Sequence, residues 1–210
     1  MKKLFLLLIA FLAFCILGHS QTKIVKMTDE EIDVAFAQIK ETFSESPEEW
    51  LFTQVVSAEG NTAVEILNAA SEAILSVYSN CKDVIQELDK EEFKVVGKGY
   101  VTSDVRELNA FTIALYRPLH LLKVEAKDDR YRIVLSVKDL KIQCGAKVDP
   151  NLFGDHAVAL SYYFPYDRKF KKSFHPMCWD IMNYVYTSAN ETISAIEKKI
   201  SSKLSSDSDW

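Results

Sequence analysis

Residues 122–142 read LKVEAKDDRYRIVLSVKDLKI, and this stretch decides the fold. Apolar and charged residues alternate on both sides of Asp128-Asp129, a pair whose short polar side chains favour a tight turn. The alternation predicts an antiparallel hairpin with one buried face. Leu140 and Ile142 are out of phase with the apolar residues before them, so a β-bulge near Lys138-Asp139 is needed to keep both sets on the buried face.

The segments before this hairpin predict one helix among four strands. The helix begins at a capping box, in which Glu65 follows Thr62 three positions later, and it runs to about Ser79. The strands are rich in β-branched and aromatic residues. They are Trp50–Val56, Val84–Leu88, Phe93–Val101 and Ala110–Ala126, the last interrupted by Pro118.

Two further helices are predicted at the ends of the chain. A second capping box, Thr28 with Glu31, opens an N-terminal helix that fades near Ser44. At the other end, His175-Pro176 begin a long helix with an apolar residue every three or four positions as far as Leu204. The intervening residues 145–174 predict a loop with one further short strand.

These elements together predict an α+β protein. Its antiparallel sheet has about five strands packed by helices, in the order β-α-β-meander-α, with an extra N-terminal helix and a long C-terminal helix. We divide the chain into residues 1–20, a signal peptide; 21–48, an N-terminal helical segment; and 49–145, the α+β domain. Residues 146–204 carry an aromatic loop or strand and the C-terminal helix, which pack on the same domain, and 205–210 form a frayed tail.

Three phrases in the middle of the chain have counterparts in a known family: Asp83-Val84-Ile85-Gln86, Val95-Val96-Gly97-Lys98-Gly99 and the hairpin Leu122–Arg132. On these, the stretch from Val55 to Ile142 resembles a family of unknown function with a TBP-like fold, found in secreted and envelope proteins of Bacteroidetes. The resemblance implies a sheet clasped by helices. It brings no catalytic residue, and the fold label does not imply DNA binding.

The N-terminus has the pattern of a secretory signal peptide. Lys2 and Lys3 precede an apolar run from Leu4 to Leu17, and small residues at Gly18 and Ser20 favour cleavage near Ser20-Gln21. The run is shorter than the roughly 20 residues of a spanning helix. We therefore expect an exported protein, periplasmic or secreted, that is not transmembrane after cleavage. Loss of the two lysines takes the formal charge from −5 to −7.

Three cysteines remain after cleavage, and an oxidising compartment permits one disulfide. Cys81 follows a predicted helix and Cys144 ends a predicted strand, so they form the candidate pair, although the spacing leaves the pairing with Cys178 open.

The sequence has no local motif of a known catalytic, metal or nucleotide site. His175 and Cys178 lie one turn apart at a helix start, which admits a Cys–His hydrolase. Two ligands fall short of a zinc site, so neither metal nor cofactor is expected. The net negative charge argues against nucleic-acid binding.

One aromatic cluster is the candidate ligand site. It comprises Tyr162, Tyr163, Phe164, Tyr166, Phe170 and Phe174, close to the basic run 168–172. These rings either pack in the core or line a groove for a hydrophobic or carbohydrate ligand.

The sequence is therefore compatible with three functions. The first is a non-enzymatic binding module that uses a cleft between the sheet and the C-terminal helix. The alternative is a structural or assembly partner of another envelope protein, engaged through an exposed strand edge or the N-terminal helix. The third is a small hydrolase that uses Cys178 and His175.

Overall fold

The computed structural model describes residues 22–24, 27–40, 49–78, 83–146, 149–159 and 175–207. These residues form three helices and one sheet, which confirms the α+β class. The helices are α1 (Asp29–Lys40), α2 (Ala63–Val77) and α3 (His175–Asp207). The strands are β1 (Thr22–Lys23), β2 (Trp50–Ser57), β3 (Ile85–Asp89), β4 (Lys94–Tyr100), β5 (Arg106–Glu107), β6 (Thr112–Lys127), β7 (Arg130–Ala146) and β8 (Asp149–Ala159).

The two longest strands, β6 and β7, form the predicted hairpin and run through the whole sheet. At the turn end, the strand order is β3-β4-β6-β7-β2, and every neighbouring pair is antiparallel. At the other end, the order is β1-β5-β6-β7-β8, in which only the two-residue strands β1 and β5 run parallel. Besides pairing with each other, β6 and β7 therefore each have one outer partner at the turn end of the sheet and a different outer partner at the other end.

The predicted β-bulge is confirmed in β7. Lys138 and Asp139 are both exposed, and the register with β6 shifts at this point. The buried apolar positions are odd-numbered up to Val137 and even-numbered from Leu140, so the bulge produces the change of phase that the sequence pattern requires. The bulge lies where β7 exchanges its outer partner, because pairing with β2 ends at Val137 and pairing with β8 begins at Asp139.

Pro118 lies inside β6 without ending the strand. Proline lacks the N–H that a strand with two neighbours needs at alternate positions. On the side away from β7, β6 pairs with β5 as far as Ala114 and with β4 from Leu119 onward. Pro118 falls in the gap between these two partners, where no hydrogen bond is lost.

The helices cover one face of the sheet. α2 packs on β4 and β6, and α3 packs on α2 and on β2, β6 and β7. The core between these layers contains Trp50, Tyr116, Tyr131 and a stripe along α3 from Ile181 to Leu204. The capping box that begins α2 is present, with the Thr62 side chain accepting from the Glu65 backbone N–H.

Two glycines of β4 let α2 approach the sheet closely. A Cβ at Gly97 would lie 2.3 Å from Cγ2 of Ile74, and one at Gly99 would lie 2.2 Å from Cδ1 of Tyr78. Neither position has space for a side chain, which explains why a strand interior tolerates the weak strand former glycine here.

The segment after Gly145 differs from the prediction. β8 is an eleven-residue strand, longer than the short strand expected in this segment. Pro150 and Gly154 indicate a loop in the sequence, but among the described residues β8 pairs with β7 alone, and an edge strand accommodates proline. The C-terminal helix also continues past Leu204, to Asp207.

Candidate functional site

The aromatic cluster proposed as a ligand site lies outside the described residues. This applies to Tyr162, Tyr163, Phe164, Tyr166, Phe170 and Phe174 alike. Cys81 also lies outside them, so its disulfide with Cys144 stays a prediction. Among the described residues, the half-buried Cys144 and the buried Cys178 are not bonded to each other.

Side chains fill the space between the sheet and α3 where a cleft was expected. Ile181, Val185, Ala189 and Ile196 of α3 are fully buried, as are Leu135 and Val137 of β7 opposite. Among the described residues, the space between the sheet and α3 belongs to the hydrophobic core, and it has no opening for a ligand.

His175 and Cys178 lie in the first turn of α3, but their surroundings do not activate the thiol. Cys178 is fully buried, and burial raises its pKa to about 11. His175 directs Nδ1 towards Oδ1 of Asp29, at 2.7 Å. A thiol with a raised pKa is a poor nucleophile at neutral pH. The contact between His175 and Asp29 instead joins the beginnings of α1 and α3.

A second polar group lies further along the same end of α3. Arg106 Nη1 is 3.5 Å from Oδ1 of Asp180, and its guanidinium lies 5.5 Å from the centre of the Tyr184 ring. Burial, reinforced by Asp180, raises the pKa of the Tyr116 hydroxyl. Burial also raises the pKa of Asp180, against the effect of Arg106. The group ties β5 and β6 to α3.

The face of the sheet away from the helices is exposed, and we call it the open face. It consists of the outward side chains of β2, β4, β6 and β7, which alternate with buried ones. Four large apolar residues on it are well exposed: Val55 by 65%, Leu121 by 45%, Tyr100 by 42% and Leu51 by 36%. Exposed apolar groups on neighbouring strands are a feature of binding surfaces.

The open face is rich in cations although the chain as a whole is acidic. Outward positions of the three inner strands carry basic residues at Lys94, Lys98, Arg117, Lys123, Lys127, Arg130, Arg132, Lys138 and Lys141. The described carboxylates beside them are Glu49, Glu87, Asp89, Glu92, Glu125 and Asp139. Among the described residues, cations thus outnumber carboxylates on this face, while the chain has 25 basic and 30 acidic residues.

One carboxylate at the middle of the face is shared by two cations. Glu125 accepts from Lys123 Nζ at 2.8 Å and from Arg132 Nε at 2.6 Å. The hydrogen bond from Lys123, followed by that from Arg132, holds the pKa of Glu125 below its usual value. Glu49 similarly accepts from Ser136 and lies 3.7 Å from Lys138 Nζ. Both carboxylates therefore already have hydrogen-bond or ion-pair partners within the protein.

A hollow of about 230 Å³ adjoins the open face where β2 meets the hairpin turn. Its lining consists of Val55, Glu125, Lys127, Arg130, Tyr131 and Arg132. Glu125 is engaged as described, and neither Lys127 nor Arg130 has an ion-pair partner among the described residues. The hollow therefore combines an apolar wall at Val55 with two basic side chains that have no ion pair among the described residues.

The described residues hold no group of three or more potential metal ligands. Within the same residues, no helix combines the length and the apolar character that crossing a membrane requires.

The sequence contained a partial signal for the open face. The alternation that predicts the buried face of the hairpin also places Lys123, Glu125 and Arg132 on the opposite face. The missing information was the sheet order, because Lys94 and Lys98 join these residues only when β4 pairs with β6.

No protein-family model matches this chain, and no curated protein matches its sequence. Two solved structures are similar to it. A TBP-like protein from Parabacteroides distasonis is 15% identical, with 73% of this chain and 96% of that one covered and a TM-score of 0.45. A DUF4468 family protein from Bacteroides ovatus is 10% identical, with 76% and 90% covered and a TM-score of 0.48.

Proposed function

We propose that this chain is an exported, non-enzymatic protein that binds another polypeptide of the cell envelope through the open face of its sheet. One observation carries the proposal: the helices cover a single face, and the other exposes apolar side chains among cations. Antiparallel sheets often keep one face in water, so the exposed apolar side chains among the cations, and not the uncovered face alone, indicate a binding surface.

The site chemistry supports binding over catalysis. The pKa of Cys178 is raised, and His175 is directed at Asp29, so the pair offers no activated nucleophile for the hydrolase hypothesis. Because side chains fill the space beside α3, we propose a binding surface on the opposite side of the sheet instead of in the expected cleft. This favours the assembly-partner alternative over a small-molecule cleft.

The test is site-specific photocrosslinking in the native cell. A benzophenone amino acid replaces Leu121 on the open face or, as the matched control, Leu75, an equally exposed leucine on α2. We expect an adduct of one defined mass from Leu121, none from Leu75, and loss of the adduct when Lys123→Glu is added. Equal adducts from both positions, or none from Leu121 in a correctly folded protein, would contradict the proposal.

Export is tested in the same cells. Fractionation and intact mass of the mature protein should place it outside the cytoplasm with Gln21 as its first residue. A full-length protein in the cytoplasm would contradict this part of the proposal.

A further inference from the structure

We propose that the edge of β2 and the hollow beside it bind an extended acidic segment of the partner, which joins the sheet as an added β-strand. The inference rests on the function proposed above and specifies the chemistry of the partner.

The free edge of β2 is suited to strand addition. β2 pairs with β7 over eight consecutive residues without a shift of register, and its sequence, WLFTQVVS, contains neither proline nor a charged residue. No other strand pairs with it among the described residues. Proteins usually protect such edges with charge, proline, bulges or short length, because unpaired N–H and C=O groups recruit further strands.

The opposite edge of the same half of the sheet has that protection. β3 is five residues long, has an irregular register with β4 between Ile85 and Glu87, and carries carboxylates at Glu87 and Asp89. The contrast between the two edges indicates that β2 is the one left open for a partner.

The side chains along β2 determine which residues the added strand brings to the open face. Leu51, Thr53 and Val55 point outward from β2 and are uncharged. Cross-strand neighbours of such residues are favourably apolar or β-branched. We therefore expect valine, isoleucine or threonine at the partner positions that lie beside Leu51, Thr53 and Val55.

The basic lining of the hollow explains why an acidic partner segment is expected. Arg130 and Lys127 have no ion pair among the described residues, and both line the hollow next to Val55. The next partner position on the same face lies beside Ser57, whose cross-strand neighbour on β7 is Arg130. A carboxylate at that position can enter the hollow and meet donors on two paired strands, since Lys127 lies opposite Arg130. Arginine binds carboxylates with a bidentate geometry, which adds orientation to charge attraction.

A polypeptide fits these features better than a nucleic acid or a lipid. The edge offers backbone hydrogen bonds that only another backbone can complete. Stacking of bases requires exposed rings. On the described strands of the open face, the aromatic residue is Tyr100, and the Arg117 guanidinium already lies over it at 5.5 Å.

The experiment titrates the full mature protein with a fluorescent eight-residue peptide, the length of β2. The peptide carries valine at the positions beside Leu51, Thr53 and Val55, glutamate at the position beside Ser57, and threonine at the alternate positions between them. Its controls are the same peptide with lysine for glutamate, and two N-methylated versions, one methylated at the valine and glutamate positions and one at the threonine positions. Single-stranded DNA and phosphatidylglycerol vesicles serve as competitors. Hydrogen exchange of the β2 amides is measured with and without the peptide.

We expect the acidic peptide to bind and to slow exchange in β2, whereas the lysine peptide does not bind. At least one N-methylated version should lose binding, because methylation removes the donors that face β2. Arg130→Glu should weaken binding about tenfold or more, and the loss should shrink at high salt. Lys141→Glu is the matched control, since it makes the same charge change on the same face beside β8, and it should have a much smaller effect.

Three outcomes would overturn the inference. They are undiminished binding by both N-methylated peptides, equal effects of Arg130→Glu and Lys141→Glu, and complete displacement of the peptide by DNA or vesicles. If the peptide fails while the Leu121 crosslink persists, strand addition is wrong and the proposed function stands. If both fail, the proposed function falls as well.

Discussion

The imidazole Nδ1 of His175 lies 2.7 Å from Oδ1 of Asp29, so one contact joins the first turns of α3 and α1. His175 is buried, and Asp29 retains 26% side-chain exposure. We expect Asp29→Asn to cost about 1–2 kcal/mol, because it weakens a hydrogen bond to a buried ring. Amide exchange along α1 should accelerate more than exchange in β6, which would locate the effect.

Glu30→Gln is the control for this variant. It removes one carboxylate from the same first turn of α1 at an exposed position, so it alters the interaction with the helix dipole without touching His175. Equal losses from the two variants would mean that the contact between Asp29 and His175 contributes nothing beyond helix electrostatics.

Gly97→Ala should destabilise the protein by about 1–3 kcal/mol, because the added methyl group overpacks the contact with Ile74. Urea unfolding gives the free energy. The double variant Gly97→Ala with Ile74→Ala tests the cause, since removal of Cγ2 makes room for the methyl group. The double variant should cost less than the sum of the two single changes, and strict additivity would show that the clash is not the reason.

Stability should fall as the pH decreases from about 6.5 to about 4, in part because of His120. Burial lowers its pKa from 6.5 to about 4, so in this range the unfolded chain takes up a proton that the folded protein does not. The loss from this group should approach about 3 kcal/mol at the acid end. Unfolding free energies measured at several pH values give the slope.

His120→Gln should flatten that slope while keeping a polar side chain near the Tyr78 hydroxyl, which lies 3.2 Å from His120 Nδ1. Carboxylates such as Glu125 titrate in both proteins, so the difference between the two curves isolates the imidazole. Parallel curves would assign the pH dependence to other groups.

Cys178 should resist alkylation in the folded protein. Its thiol is fully buried and its pKa is raised to about 11, so little thiolate forms at pH 8. We expect iodoacetamide to modify it only after unfolding, as measured by peptide mass mapping over time. Rapid modification in the native state would restore the hydrolase hypothesis.

Local signals in the sequence were sufficient for most of the fold. The capping boxes at Thr28 and Thr62 predict where α1 and α2 begin, because they record which side chains satisfy the free backbone N–H groups. The phase change after Val137 predicts the bulge, since only a bulge keeps Leu140 buried.

The remaining features depend on which distant segments pair. The length of β8 was underestimated because Pro150 and Gly154 favour a loop locally, and only pairing with β7 outweighs that preference. The open face was not predicted as a site for the same reason. Its charge comes from residues on separate strands, and the sheet order brings them together.

Because β6 and β7 run through both halves of the sheet, neither half has a central hairpin of its own. Melting at either end therefore disturbs strands on which the other end depends, and the described sheet should unfold as one cooperative unit. The same arrangement leaves the outer strands replaceable. Evolution can exchange β2, β3 or β8 for other segments, and so alter what the protein recognises, while the hairpin preserves the fold.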